Sequence, residues 1–144
     1  MARHSIAGRA TVVGTTVRAG ASLFATASVG GNLREVGIFN TTTTAFAAAL
    51  VRFTNATGVG AGLTEVDYDP AKPAILTGFA GHTADGAVGS PFRYASIGAA
   101  IGAGVIWTFG DSGVLIPVGT ANGIGIICPT GTGQIFDYYV DWDE

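Results

Sequence analysis

The segment from Gln134 to Glu144, QIFDYYVDWDE, most tightly limits what this chain can build. Phe136, Tyr138, Val140 and Trp142 stand at every second position, with Ile135, Asp137, Tyr139, Asp141 and Asp143 between them. Side chains of a β-strand alternate between two faces, whereas those of a helix repeat every 3.6 residues. The period of two therefore places four large apolar side chains on one strand face and a mostly polar set on the other. The preceding stretch continues the theme: GVIWTFG, VLIPVG and GIGIIC are strand-sized runs divided by DSG, TAN and PTGTG. Gly, Asn, Asp and Pro supply the backbone conformations that tight turns need.

The rest of the chain divides in the same way. Thr11 to Val17 and Ser22 to Ser28 read as two strands joined across Arg18-Ala19-Gly20, and Gly30-Gly31-Asn32 reads as a turn. Residues 1–10 are polar enough to form an arm that docks on a neighbour, or else a first strand. Leu33 to Asn40 is a strand with Val36 and Ile38 inward. In Ala45 to Thr54 the alanines favour helix, but the Thr-rich entry, Val51, Phe53 and the strand neighbours favour strand, which is the reading adopted. Phe46, Ala48 and Leu50 then share one face. The small Ala45, Ala47 and Ala49 would let another layer or subunit approach closely.

Asn55 to Gly62 is a glycine-rich loop. Leu63 to Asp69 alternates before Pro70 and Pro73 break it, which suits an edge strand or an irregular crossing. Ala74 to Phe79 and Phe92 to Ile97 are further strands, and His82 to Pro91 is a loop long enough to project. Gly98 to Gly104 is a weak strand or a short helical turn. Strand-sized units about every ten residues, with no amphipathic helix, indicate one all-β domain over residues 11–144, an antiparallel β-sandwich or barrel.

Composition narrows the partners. Hydrophobic residues make up 48% of the 144 and charged residues 12%, about half the usual share. Lys72 is the only lysine. A solvated monomer normally coats itself with Lys and Glu, so the shortage points to surface that faces other protein. A net charge of −3 with six scattered arginines argues against nucleic acid as a partner. The most apolar window, Ile97 to Phe109, is shorter than the roughly 20 residues a membrane helix requires, so no membrane partner is expected. The N-terminal stretch has no continuous apolar run of the kind that marks a secretion signal. The single Cys128 rules out an internal disulfide framework and reads as a small buried hydrophobe.

Candidate reaction centres are weak. Gly58-Val59-Gly60-Ala61-Gly62 lacks the strand-to-helix setting of a dinucleotide loop, and Gly131-Thr132-Gly133 lacks the Lys of a phosphate-binding loop and reads as a hairpin turn. His4 and His82 are too few for a zinc site. HTADGAVGS contains Ser, His and Asp but no nucleophile elbow, so it reads as an exposed loop. Glu65, Asp67 and Asp69, and likewise Asp137, Asp141 and Asp143, could hold calcium. They read more simply as the solvated faces of edge strands. No catalytic residue, cofactor or metal is assigned. The sequons at Asn40 and Asn55 read as turn chemistry. Trp107, Phe109, Phe136, Tyr138 and Trp142 are core candidates. Phe92, Tyr94 and Tyr139, together with Ala45, Ala47 and Ala49, are the candidates for a subunit contact.

The order LREVGIFNTTTTAFAAALVRFT, then GVIWTFGDSGVLIPVGTANGIGI, then a closing strand ending in VDWDE, resembles small virion structural proteins of tailed bacteriophages. The nearest likeness is to jelly-roll capsid decoration (cement) proteins. The resemblance implies a β-sandwich that forms a homotrimer, sits on the capsid surface of the virion and clamps the major capsid protein lattice. Such a protein is made in the host cytoplasm and is not an enzyme. Tail, head-fibre and baseplate proteins share this manner of sequence. They imply the alternative of a domain that binds a host-surface glycan through a loop such as His82 to Pro91.

Overall fold

The computed structural model describes residues 1–56, 58–130 and 133–144. Its strands are β1 (Arg3–Arg9), β2 (Ala21–Phe24), β3 (Gly31–Asn40), β4 (Phe46–Phe53), β5 (Val66–Asp67), β6 (Thr77–Ala80), β7 (Arg93–Ile97), β8 (Gly104–Thr108), β9 (Val114–Ile116), β10 (Gly123–Ile127) and β11 (Phe136–Asp143). Among the described residues there is no helix, hence none long and apolar enough to cross a membrane.

Two antiparallel sheets face each other. Sheet A runs β5-β1-β11-β3-β8, with β9 also paired to β3, and sheet B runs β6-β2-β10-β4-β7. Without the short β5, β6 and β9, the orders are 1-11-3-8 and 2-10-4-7, and each strand passes to the opposite sheet except at β4 to β7. That winding is a jelly roll, a single sandwich built from two Greek keys.

The closing strand behaves as its period requires. β11 lies between β1 and β3, and Phe136, Tyr138, Val140 and Trp142 all point into the sandwich. They meet Leu23, Phe46, Leu50, Ile124 and Ile126 among others from sheet B, in one continuous core. Burying side chains of this size stabilises by about 1.5–3 kcal/mol each.

Sheet B is also covered on its outer face. Ala19, Phe24, Ala49, Val51, Phe53 and Ile127 form a second apolar cluster, with Val59, Phe79 and Val88 packed against it. The cover comes from the irregular stretches around residues 10–20, 55–62 and 81–89, tied by Gly86 N to Val17 O, Thr83 N to Gly58 O and Gly81 N to Gly20 O. Strands buried on both faces lose the in-out alternation and read as unbroken apolar runs. AAALV in β4 and GIGII in β10 are such runs.

Several expectations are corrected here. Thr11 to Val17 is not a strand: the Thr15 hydroxyl accepts hydrogen bonds from Val17 N and Arg18 N. This local side-chain acceptor competes with ladder pairing and turns the chain over sheet B. β2 stops at Phe24, four residues short of Ser28, because Thr26 closes a turn with Val29. Gly31 and Asn32 belong to β3, paired with Ile116 and Leu115. Of the two readings of residues 1–10, the strand holds: residues 3–9 all pair with β11, and His4 and Ser5 also with β5. Within Leu63 to Asp69 only Val66–Asp67 pairs, as an edge strand. Gly98 to Ala103 is a turn stitched to Asn40. Residues 131 and 132 of the hairpin reading and the Thr57 end of the second sequon lie outside the described residues.

Candidate functional site

The outer face of sheet A stays open, and its chemistry starts from a register shift. Asp141 pairs with Glu35 and Trp142 with Leu33, which leaves Arg34 as an extra residue in β3. A bulge of this kind re-aims side chains, and here it puts Arg34 and Glu35 on the same outer face. Asp143 then accepts Arg34 Nε at 2.6 Å and Arg3 Nε at 2.9 Å. Arg34 Nη1 also donates to the carbonyls of Gly110 and Asp111, and so fastens the β8–β9 loop over the sheet. Burial pushes the Asp143 carboxyl up, and the hydrogen bonds from Arg3 and Arg34 outweigh that push, leaving it below its ordinary value.

One row along the strands, Asp141 and Glu35 face each other directly across β11 and β3. Among the described residues neither forms an ion pair with a base. Tyr68 Oη donates to Asp141 Oδ2 at 3.4 Å, and Tyr139 Oη donates to Glu35 Oε1 at 2.6 Å. Burial, and then that bond to Glu35, raise the Tyr139 phenol well above its ordinary range. Arg3, Arg34, Glu35, Tyr68 and Asp141 line a cleft of about 500 Å3, closed at one end by Gly110 and Asp111.

The two histidines are structural. His82 is 2% exposed, its Nε2 lies 2.8 Å from Ser22 Oγ, and its ring packs on Phe24 and Phe53. Burial lowers its pKa to about 4. The Ser–His distance would suit a nucleophile and its base, but both groups lie under the loops that cover sheet B, away from the clefts described here. The 82–91 loop therefore does not project: Gly86 N, Gly89 N and Ala87 N bond to Val17 O, Arg52 O and Asn55 Oδ1. His4 is buried inside sheet A's edge, with Nδ1 2.9 Å from Asp67 Oδ1 and Nε2 3.6 Å from Glu144 Oε1. Glu144 also accepts from Leu76 N and Trp142 Nε1, so this cluster ties both chain ends to the β5–β6 loop.

The carboxylate sets separate. Asp137 pairs with Arg9, whose hydrogen bond lowers the Asp137 pKa, and Asp143 pairs with the arginines. Glu65 accepts Gly78 N, Asp67 accepts Ala74 N and Asp69 accepts Ala71 N. Among the described residues no three His, Cys, Asp or Glu converge as a metal site. Cys128 is buried, and burial raises its thiol to about 11.

Of the contact candidates, Ala45, Ala47 and Tyr94 line one shallow groove with Ser96, Ile97 and Thr130. The others do not join them. Ala49 is covered completely inside the second cluster, because the loop carrying Ala19 lies across it. Phe92 is half-buried against Phe109 and under the Arg52 guanidinium. Tyr139 lies on the far sheet, flat across Gly37. The bulged cleft went unnoticed in the sequence. Its one legible trace is the break in alternation at Arg34-Glu35, two successive polar residues inside LREVGIF.

No protein-family model, curated protein or solved structure matches the chain.

Proposed function

We propose that this chain is a non-enzymatic virion structural protein, a capsid decoration protein that works as a homotrimer on the assembled head lattice. The observation that carries the reading is a sparsely charged side wall. From Gly86 to Phe136 the only charged residues are Arg93 and Asp111. That stretch supplies the edge where β7 of sheet B and β8 of sheet A end their sheets side by side, with β9 in line beside β8 on β3. Exposed along it are Tyr94 (54%) on the outer face of sheet B, Ile106 (53%) and Leu115 on the outer face of sheet A, and Ile101 (72%) in the turn from β7 to β8, set among Gly, Ala, Ser and Thr.

Two physical arguments follow. Proteins guard exposed strand edges with charges, prolines or cover, and this edge carries two arginines, both folded onto it: Arg93 over the Phe109 ring, and Arg52 over the Phe92 ring with a hydrogen bond to Leu115 O. Subunit contacts are depleted in Lys, Glu and Asp, as this wall is. The second cluster of sheet B absorbs part of the apolar excess within the chain. The wall is the part that remains for neighbours. Trimerisation and the capsid lattice as partner come from the resemblance to decoration proteins. Binding only the assembled lattice stabilises it by mass action, with no chemistry needed.

The experiment has two arms. Sedimentation equilibrium of the wild type and of Ile106→Lys and Ile101→Lys reads the subunit contact. Co-sedimentation with expanded shells lacking the protein, followed by heating, reads the lattice role. A trimer that the lysine variants dissociate, and shells that melt later when coated, are the expected results. A monomer at micromolar concentration that leaves shells unprotected disposes of the reading.

A further inference from the structure

The open face of sheet A sets two carboxylates side by side. Asp141 and Glu35 are direct cross-strand partners, and like charges so placed destabilise a sheet. Arg3 and Arg34 stand one row away, yet both are held by Asp143. The two carboxylates receive only phenol hydroxyls, from Tyr68 and Tyr139. Each group is thus fixed in direction with part of its hydrogen-bonding capacity turned to the cleft. Carboxylates accept, guanidiniums donate, and the ring of Tyr68, 59% exposed, stands at the rim.

We propose that this cleft binds a neutral sugar ring. A hydroxyl both donates and accepts, so adjacent ring hydroxyls can bridge a carboxylate on one side and a guanidinium on the other. An anion would meet Glu35, Asp111 and Asp141, and a cation would meet Arg3 and Arg34. A neutral polyhydroxyl ligand meets neither penalty. The apolar C–H face of a pyranose packs against the face of an aromatic ring, which is what Tyr68 offers. The side chains are already held by their mutual bonds, so binding freezes few rotamers. The cleft is lined from β1, β3, β11 and the β5–β6 and β8–β9 loops, and sugar binding is read separately from sedimentation, so the two proposals can fail independently.

The probes are glucose, galactose, mannose and N-acetylglucosamine at millimolar concentration, followed by amide chemical shifts, together with an array of neutral and acidic glycans. Shifts confined to residues around Arg3, Glu35, Tyr68, Asp111 and Asp141 are expected, with array signal from glycans that end in a neutral hexose. Tyr68→Ala and Asp141→Asn should each weaken binding by about tenfold or more, while Tyr68→Phe, which keeps the ring, retains most of it. Thermal melts of both variants that match wild type show that a loss of binding is not a loss of fold. Absence of sugar binding in both assays overturns the proposal. So does binding that both variants leave intact, or a cleft that responds only to calcium or spermine.

Discussion

Tyr139 lies flat across Gly37 on the outer face of sheet A and donates its hydroxyl to Glu35 at 2.6 Å, two residues along the neighbouring strand. A Cβ at residue 37 would fall inside the ring of Tyr139, so the absence of a side chain there is what lets the phenol reach Glu35. Phe39 stacks beside it at 6.4 Å.

Gly37→Ala should therefore lift Tyr139 off the sheet and free Glu35. The expected cost is about 2 kcal/mol, typical of an overpacked site. A lower urea midpoint with an unchanged denaturant slope, and a Tyr139 ring resonance moved toward its random-coil position, would bear this out. Wild-type stability in the variant would mean that the ring's position matters little.

His82 predicts the shape of the acid limb. Its pKa falls from 6.5 in the unfolded chain to about 4 in the fold, because burial disfavours the imidazolium. Between these values the unfolded state binds more protons, so stability is constant above pH 6.5 and declines as pH drops toward 4. The full loss is on the order of 3 kcal/mol. His82→Asn, which retains a partner for Ser22, should flatten the limb between these two pH values in urea titrations. An unchanged limb would assign the acid sensitivity to other groups.

Asp143 tests the arginine clamp. Asp143→Asn leaves two guanidiniums competing for one neutral oxygen and should cost about 2 kcal/mol at neutral pH. Arg3→Ala should cost less, since that side chain is half exposed and Arg34 keeps its own bond. The folded pKa of Asp143 is depressed, so its contribution is complete above the usual carboxylate value and is lost as pH falls below it. The difference between wild type and Asp143→Asn should therefore shrink as pH falls below the usual carboxylate range. A thermal-melt series across pH on the three proteins decides the matter.

Cys128 should resist alkylation in the native state. Its thiol is fully buried and titrates near 11, so little thiolate is present or reachable at pH 8. Iodoacetamide labelling should begin only when urea opens the region, and mass spectrometry reads it directly. Rapid native labelling would show that the loop bearing Gly14, which packs on the sulfur, opens readily.

The period of two in QIFDYYVDWDE was enough to assign the buried face of β11, residue by residue, and the spacing of strand-sized runs was enough for an all-β sandwich. These features are local: which way a strand side chain points depends on the backbone alone. Ala45 to Thr54 was legible as a strand from its Thr-rich entry, Val51, Phe53 and strand neighbours, although the sequence left open what covers its second face. The tertiary structure decided that Ala49 is sealed by a loop more than twenty-five residues upstream, and that His82 finds Ser22 sixty residues away. It decided too that a one-residue bulge sets Arg34 beside Glu35 above Asp143. Such contacts join positions far apart in the chain, and no alternation or composition encodes them. They depend on how the loops pack once both sheets exist, which a linear pattern of apolar and polar residues does not specify.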